Sequence, residues 1–231
     1  LVHELAVMAA NARDDRSAQA GDAGPKLSYG DVTVDYSRPF DRISYADLFK
    51  RTLGFDMSDE DKVRAKGEEA KIENASTMDH WLVVNELFEE YCEPAIDPTR
   101  PTFVTEYPSA ISPLTRPQEH APHLCHRWEL LTAGMELGTA YSELNDPDVQ
   151  LQKLTEQLSG ADEEEQTFRT LDEDFIHALR VGMPPAGGLG LGVDRIVMLL
   201  TNALSIRDVI LFPLLKPQSH AAAEAPMDEP S

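Results

Sequence analysis

Glu129 and Glu136 stand seven residues apart, and Glu143 follows after seven more, in the stretch HRWELLTAGMELGTAYSEL over 126–144. Ala133-Gly134 reads as the two-residue loop of a β-hairpin, which sets Leu131 opposite Glu136 and Glu129 opposite Gly138. Glu129 and Glu136 then share a face as diagonal neighbours, with Cβ atoms roughly 7–8 Å apart. Like charges so placed repel unless a cation lies between them, and carboxylate oxygens are what Mg²⁺ takes. The same spacing also describes two carboxylates on a solvated sheet face, and on spacing alone that plainer reading is favoured.

The second stretch with chemical potential is GGLGLGVDRIVMLLTNALSIRDVILFPLLKP, over 187–217. Gly188, Gly190 and Gly192 alternate with Leu189, Leu191 and Val193, the period of a strand. One strand face therefore carries apolar side chains and the other none, a bare track on which a flat ring can lie. Asp194 sits where a helix N-cap belongs, and Arg195 leaves the strand-to-helix junction as a cation beside that track. Tight packing of a helix on a glycine-rich strand is the rival reading. The pattern is neither a dinucleotide fingerprint nor a P-loop, since no GK[ST] follows.

Taken together, these stretches resemble the class II lysyl-tRNA synthetases: the hairpin matches their metal-binding hairpin, and the glycine-rich strand their motif 3. The resemblance covers most of 27–217 and is strongest at 101–147 and 184–217. It implies that Glu129 and Glu136 hold the Mg²⁺ of ATP and that Arg195 stacks on adenine. It further implies that Gly188, Gly190 and Gly192 carry the nucleotide, and that Glu143 with Tyr141, Thr139 and Gly190 receives lysine. A carboxylate at the end of a pocket is a sound ammonium selector, because a neutral side chain leaves it unpaired. Where many members carry Asn, this chain has Thr139, with one donor in place of two. The implied activity is formation of lysyl-adenylate from lysine and ATP and transfer to tRNA(Lys), by a homodimeric, cytoplasmic enzyme. A paralogue that loads lysine onto a protein such as elongation factor P is the near rival. A non-catalytic binding module is the distant one.

The elements that position these groups are legible to differing degrees. The expected fold is α+β, an antiparallel sheet with flanking helices: a class II catalytic core over 1–217 lacking its N-terminal part, with a tail of disordered composition over 218–231. Residues 27–36 form a hairpin about Tyr29-Gly30-Asp31, Ser44 caps a helix over 45–52, and 56–75 is a solvated helical insertion. A buried helix covers 81–92 and ends at Pro94, and 102–108 is a strand. Loops are expected over 14–25 and 109–123, a charged connection over 160–165, and helices over 1–12, 148–159 and 172–181.

The composition of the 231 residues, 42% hydrophobic and 26% charged, is that of an ordinary soluble domain, and no apolar run approaches a membrane span. Cys92 and Cys125 read as structural thiols in a reduced compartment. A net charge of −21 opposes a general nucleic-acid surface, so phosphate contacts to tRNA are expected mainly from parts outside this chain.

One geometric difficulty follows. Thr139, Tyr141 and Glu143 have the opposite parity to Glu136, so a regular strand sends the metal and lysine residues to opposite faces. A single pocket requires a break in alternation between Glu136 and Thr139, and Gly138 is the natural place for it. Family motifs 1 and 2, the latter supplying an α-phosphate arginine, have no counterpart here. The 231-residue chain alone is therefore expected to be inactive in lysine-dependent pyrophosphate–ATP exchange, and robust exchange by the purified chain contradicts this.

Overall fold

The structure is a computed structural model and describes residues 1–13, 25–159 and 171–213. All but the last residue of the loop expected over 14–25, the charged connection at 160–165 and the tail beyond Pro217 lie outside the described residues. Five strands form the main sheet, in the order β3 (Asp41–Ser44), β4 (Thr102–Thr105), β5 (Arg127–Thr132), β6 (Met135–Ser142) and β7 (Gly187–Leu191). Pairing is antiparallel except at the β3–β4 edge, where it is parallel. The expected all-antiparallel sheet is corrected there: the chain returns from β3 to β4 through helices, a crossover that parallel strands require.

A separate hairpin, β1 (Lys26–Tyr29) and β2 (Val32–Asp35), turns at Gly30-Asp31 with Gly30 at φ +56, as its sequence foretells. Ser44 caps α2 (Tyr45–Leu53), its hydroxyl accepting the Asp47 amide at 3.0 Å, and Gly54 ends that helix in a left-handed conformation.

Apolar layers lie on both faces of the sheet. On one face α2 with Tyr45, α4 (His80–Leu87) with Phe88 just beyond it, and Tyr107 after β4 pack against Val104 and Leu131. On the other, α7 (Val193–Thr201) brings Ile196 and Leu199 onto Leu130 and Leu137, with α1 (Val2–Arg13) alongside. The charged helix α3 (Glu60–Glu69) is solvated over most of its surface, yet it buries Val63 and Gly67 against α4. The single helix expected over 81–92 ends as α4 at Leu87. A wider turn over Phe88–Cys92 and a tight one over Glu93–Ala95 continue it, with Pro94 inside the last turn. That widening rotates later side chains off the α-helical face. Two further helices, α5 (Pro147–Ser159) and α6 (Glu173–Val181), pair beyond β6. Lys153 of α5 donates to the Ser109 hydroxyl at 2.6 Å, fixing a short helical turn in the expected 109–123 loop. Among the described residues no helix is long and apolar enough to cross a membrane.

Gly138 is where strand packing is tightest. A Cβ there meets the Gly190 carbonyl oxygen and Leu191 Cδ2, both at 2.5 Å, across the β6–β7 pair. Gly138→Ala is therefore expected to cost about 1–3 kcal/mol, the range for overpacking, because a backbone atom cannot yield as a side chain can. Urea denaturation of the variant checks this, and a loss below roughly 0.5 kcal/mol contradicts it.

Candidate active site

The β5–β6 register supplies the required break. Leu131 lies opposite Glu136 as expected, but Leu130 pairs with Gly138, Glu129 with Thr139 and Arg127 with Tyr141. Leu137 is thus the extra residue of a bulge, and it turns into the core beside Leu130 and Ile196. The expected pairing of Glu129 with Gly138 is off by one for this reason. Past the bulge, Thr139 and Tyr141 recover the face that carries Glu129 and Glu136. Gly138 is needed for close approach rather than for an unusual backbone conformation, since its φ is not positive.

The three glycines of β7 and its end do not make one bare track. Gly188 pairs with Tyr141 and Gly190 with Thr139, on the same face as the acids. A Cβ at Gly188 meets Glu143 Oε1 at 2.2 Å and comes within 3.9 Å of the Tyr141 ring, so the glutamate carboxyl already covers that position. Only Gly190 has open space above it. A Cβ at Gly192 comes 3.4 Å from Cδ of Arg195, whose side chain lies along that position. Glu143 is anchored by its own amide, which donates to the Ala186 carbonyl at 3.0 Å. Helix α7 begins two residues earlier than expected, with Gly192 rather than Asp194 in the capping position; Asp194 sits in the first turn, where its charge still complements the helix dipole. Arg195 donates to the Glu136 carbonyl and comes within 3.9 Å of its carboxylate. The Thr139 hydroxyl donates to the Trp128 carbonyl at 3.1 Å, and so is engaged across the hairpin.

Electrostatics distinguish the two candidate metal acids. Glu129 is buried: Arg127 donates to Oε1 and the Tyr107 hydroxyl to Oε2, the latter at 2.8 Å. Burial, with the charge of Glu129, pushes the Tyr107 phenol well above its usual range, so it stays a donor. Glu136 is half exposed. Nearby, burial pushes the Glu93 carboxyl up to about 7, with the charges of Glu129, Glu89 and Glu136 adding to it.

A family model for class II tRNA synthetases (D, K and N) matches residues 4–216. The chain belongs to that family. It is 46% identical to the lysine–tRNA ligase of Prochlorococcus marinus (strain MIT 9515) over 197 residues, 83% of this chain and 38% of that protein. It is 41% identical to the lysine–tRNA ligase of Aquifex aeolicus (strain VF5), over 84% of this chain and 33% of that protein. To that of Escherichia coli (strain K12) it is 38% identical, over 83% and 38%. The chain thus spans well under half the length of these class II synthetases.

Against a class II reaction centre the donors fit Mg²⁺. Two carboxylates present hard oxygens on one face, and Mg²⁺ commonly takes one or two carboxylates and completes its shell with water and phosphate. Among the described residues no group of three or more ligating side chains converges. A cleft of about 530 Å³ near the β5–β6 strand ends is mostly a different place. Thr105, Trp128, Ala140 and Ser142 line it with the opposite parity, and it shares only Arg127, Tyr141 and Gly188 with the candidate site.

Three site residues of this synthetase chain escape a reading of its sequence. Arg127 was within reach, because two positions before Glu129 puts it on the same face. Tyr107 was not: Glu106 adopts φ +61 and turns the chain so that Tyr107 joins Glu129. Glu93 lies beyond the widened turn that ends the helical period.

Glu93 carries a consequence for stability. Its folded pKa of about 7 exceeds the ordinary 4.5, so the folded state holds a proton that the unfolded state releases. Stability from this group is complete below the ordinary value and declines as pH rises toward about 7. Glu93→Gln is therefore expected to raise Tm at pH 8 relative to the parent, the gain shrinking as pH falls toward 4.5. Thermal melts at pH 5 and pH 8 check this, and an equal shift at both contradicts it.

Proposed function

We propose that this chain is the C-terminal part of the catalytic domain of a lysine–tRNA ligase, which activates lysine with ATP and transfers it to tRNA(Lys). The observation that carries the reading is the bulge at Leu137, which brings Glu129, Glu136, Thr139 and Tyr141 to the face where Glu143 covers Gly188. An ammonium selector and a pair of metal acids on one face are what joining lysine to a nucleotide phosphate requires.

In this reading Glu143 and Tyr141 bind the lysine side chain over Gly188, and Gly190 leaves room beside them for the rest of the substrate. Arg195, lying along Gly192, is placed to cover adenine. Glu129 and Glu136 hold Mg²⁺, which when bound neutralises phosphate charge. The lysine carboxylate attacks the α-phosphorus in line and pyrophosphate leaves; such chemistry needs orientation and charge neutralisation more than a general base. The rest of the intact protein supplies the α-phosphate contact, most tRNA contacts and the homodimer interface.

Glu143→Gln keeps the side-chain shape and removes the charge that pairs with the ammonium. A charge-assisted hydrogen bond is worth about 1.5–3 kcal/mol, so lysine KM in the intact protein is expected to rise roughly tenfold to hundredfold while ATP KM holds. Pyrophosphate–ATP exchange with varied lysine and varied ATP reads both. An equal loss for the two substrates overturns the assignment of Glu143, and exchange driven by another amino acid in preference to lysine overturns the proposed function.

A further inference from the structure

Glu129 and Glu136 are held in opposite ways. Glu129 has a donor on each oxygen, and those donors are themselves fixed. Arg127 also donates to the hydroxyl of Ser112 at 2.9 Å, and its guanidinium lies over the Tyr107 ring, 4.5 Å from the centroid. Ser112 is 3% exposed and Tyr107 is 3% exposed, so neither can swing aside without opening the core. Among the described residues, Glu136, half exposed, meets at its carboxylate only the long 3.9 Å approach of Arg195.

We propose that Arg127 and Tyr107 are positioning residues for the Glu129 carboxylate as a metal ligand, holding it as the fixed half of the pair while Glu136 adjusts. This rests on the reading of Glu129 as a metal acid. Each carboxylate oxygen has two lone pairs, so one donor apiece leaves acceptor capacity on both. A hydrogen-bonded carboxylate has its rotamer set before the ion arrives, and loss of such outer partners typically weakens metal binding about 10–100-fold. An ion pair placed there for stability alone gains little over apolar packing, because burying two charges offsets most of their attraction. Arg127 also sits opposite Tyr141 in the hairpin register, one same-face step along β5 from Glu129.

The test uses Mn²⁺ as the probe ion, read directly by its electron paramagnetic resonance in the intact protein with a non-hydrolysable ATP analogue. Tyr107→Phe and Arg127→Gln are expected to weaken Mn²⁺ binding about 10–100-fold, with Arg127→Lys between them and the parent, while lysine KM changes less than about twofold. Should Arg127→Gln fail to fold, Tyr107→Phe, which removes one oxygen, and Arg127→Lys still decide the matter. Unchanged Mn²⁺ binding in these variants, with Glu129→Gln abolishing it, overturns the positioning role and leaves the proposed function standing. A matched loss of metal and lysine binding also overturns it, as the mark of a general structural role. Unchanged Mn²⁺ binding in Glu129→Gln itself overturns both the metal reading of Glu129 and the positioning role built on it.

Discussion

Side-chain parity on a β-strand is the constraint on which this site depends. A strand has two faces, and successive residues cannot share one. Here one face must hold Glu129 and Glu136 and also Tyr141 and Glu143, which are separated by intervals of both parities. One extra residue, Leu137, reconciles them. It is not left idle, because it enters the core against α7, where Ile196 and Leu199 cover it. The bulge is therefore held from behind by apolar packing, and its effect appears in front as chemistry. A second break acts in the same direction: Glu106, at φ +61, carries Tyr107 to the Glu129 carboxylate.

Charge on that face is managed locally rather than by the chain as a whole, whose net charge of −21 offers no relief. Glu129 is buried but doubly hydrogen-bonded, so its desolvation is offset by partners made for it. Glu136 avoids the problem by staying half in water. Glu93 has neither remedy. It is half-buried amid other acids, and it answers by holding its proton to higher pH. Three glutamates in one neighbourhood thus sit in three different surroundings.

How much of this could be read beforehand depended on whether a local period survived. The two hairpins, the Ser44 cap, the glycine strand and the helix after it follow simple periods or turn signals, and each is found, although the last helix is capped by Gly192 rather than Asp194 and the second hairpin slips by one past Leu137. The need for a break near Gly138 was also legible, because two sets of residues with opposed parity had to meet. Its true register was not: a bulge depends on which core side chain has room to accept the extra residue, and that is a tertiary matter. The parallel β3–β4 pair was hidden for the same reason, since strand direction is set by the path of the intervening helices. The buried side of α3 was masked by its charge, because Val63 and Gly67 alone mark the stripe that meets α4.

The glycines of this site illustrate why composition can mislead about purpose. Each glycine in a strand costs about 0.5–1 kcal/mol relative to alanine through lost chain entropy, a steady penalty for β7. At Gly138 alanine forces a contact of 2.5 Å on a neighbouring carbonyl, a larger cost than the entropy it saves. Packing alone justifies that glycine. At Gly188 the clash is with Glu143 Oε1 at 2.2 Å, the far end of a side chain, so the fold could tolerate alanine by moving the carboxylate. What alanine disturbs there is the place where the charge lies, not the stability of the sheet. At Gly190 no described residue is within 4 Å of such a Cβ, so neither packing nor a neighbouring side chain among them accounts for its bareness. The three positions run from structural need at Gly138, through the placing of a charge at Gly188, to a bareness at Gly190 that the described residues do not use.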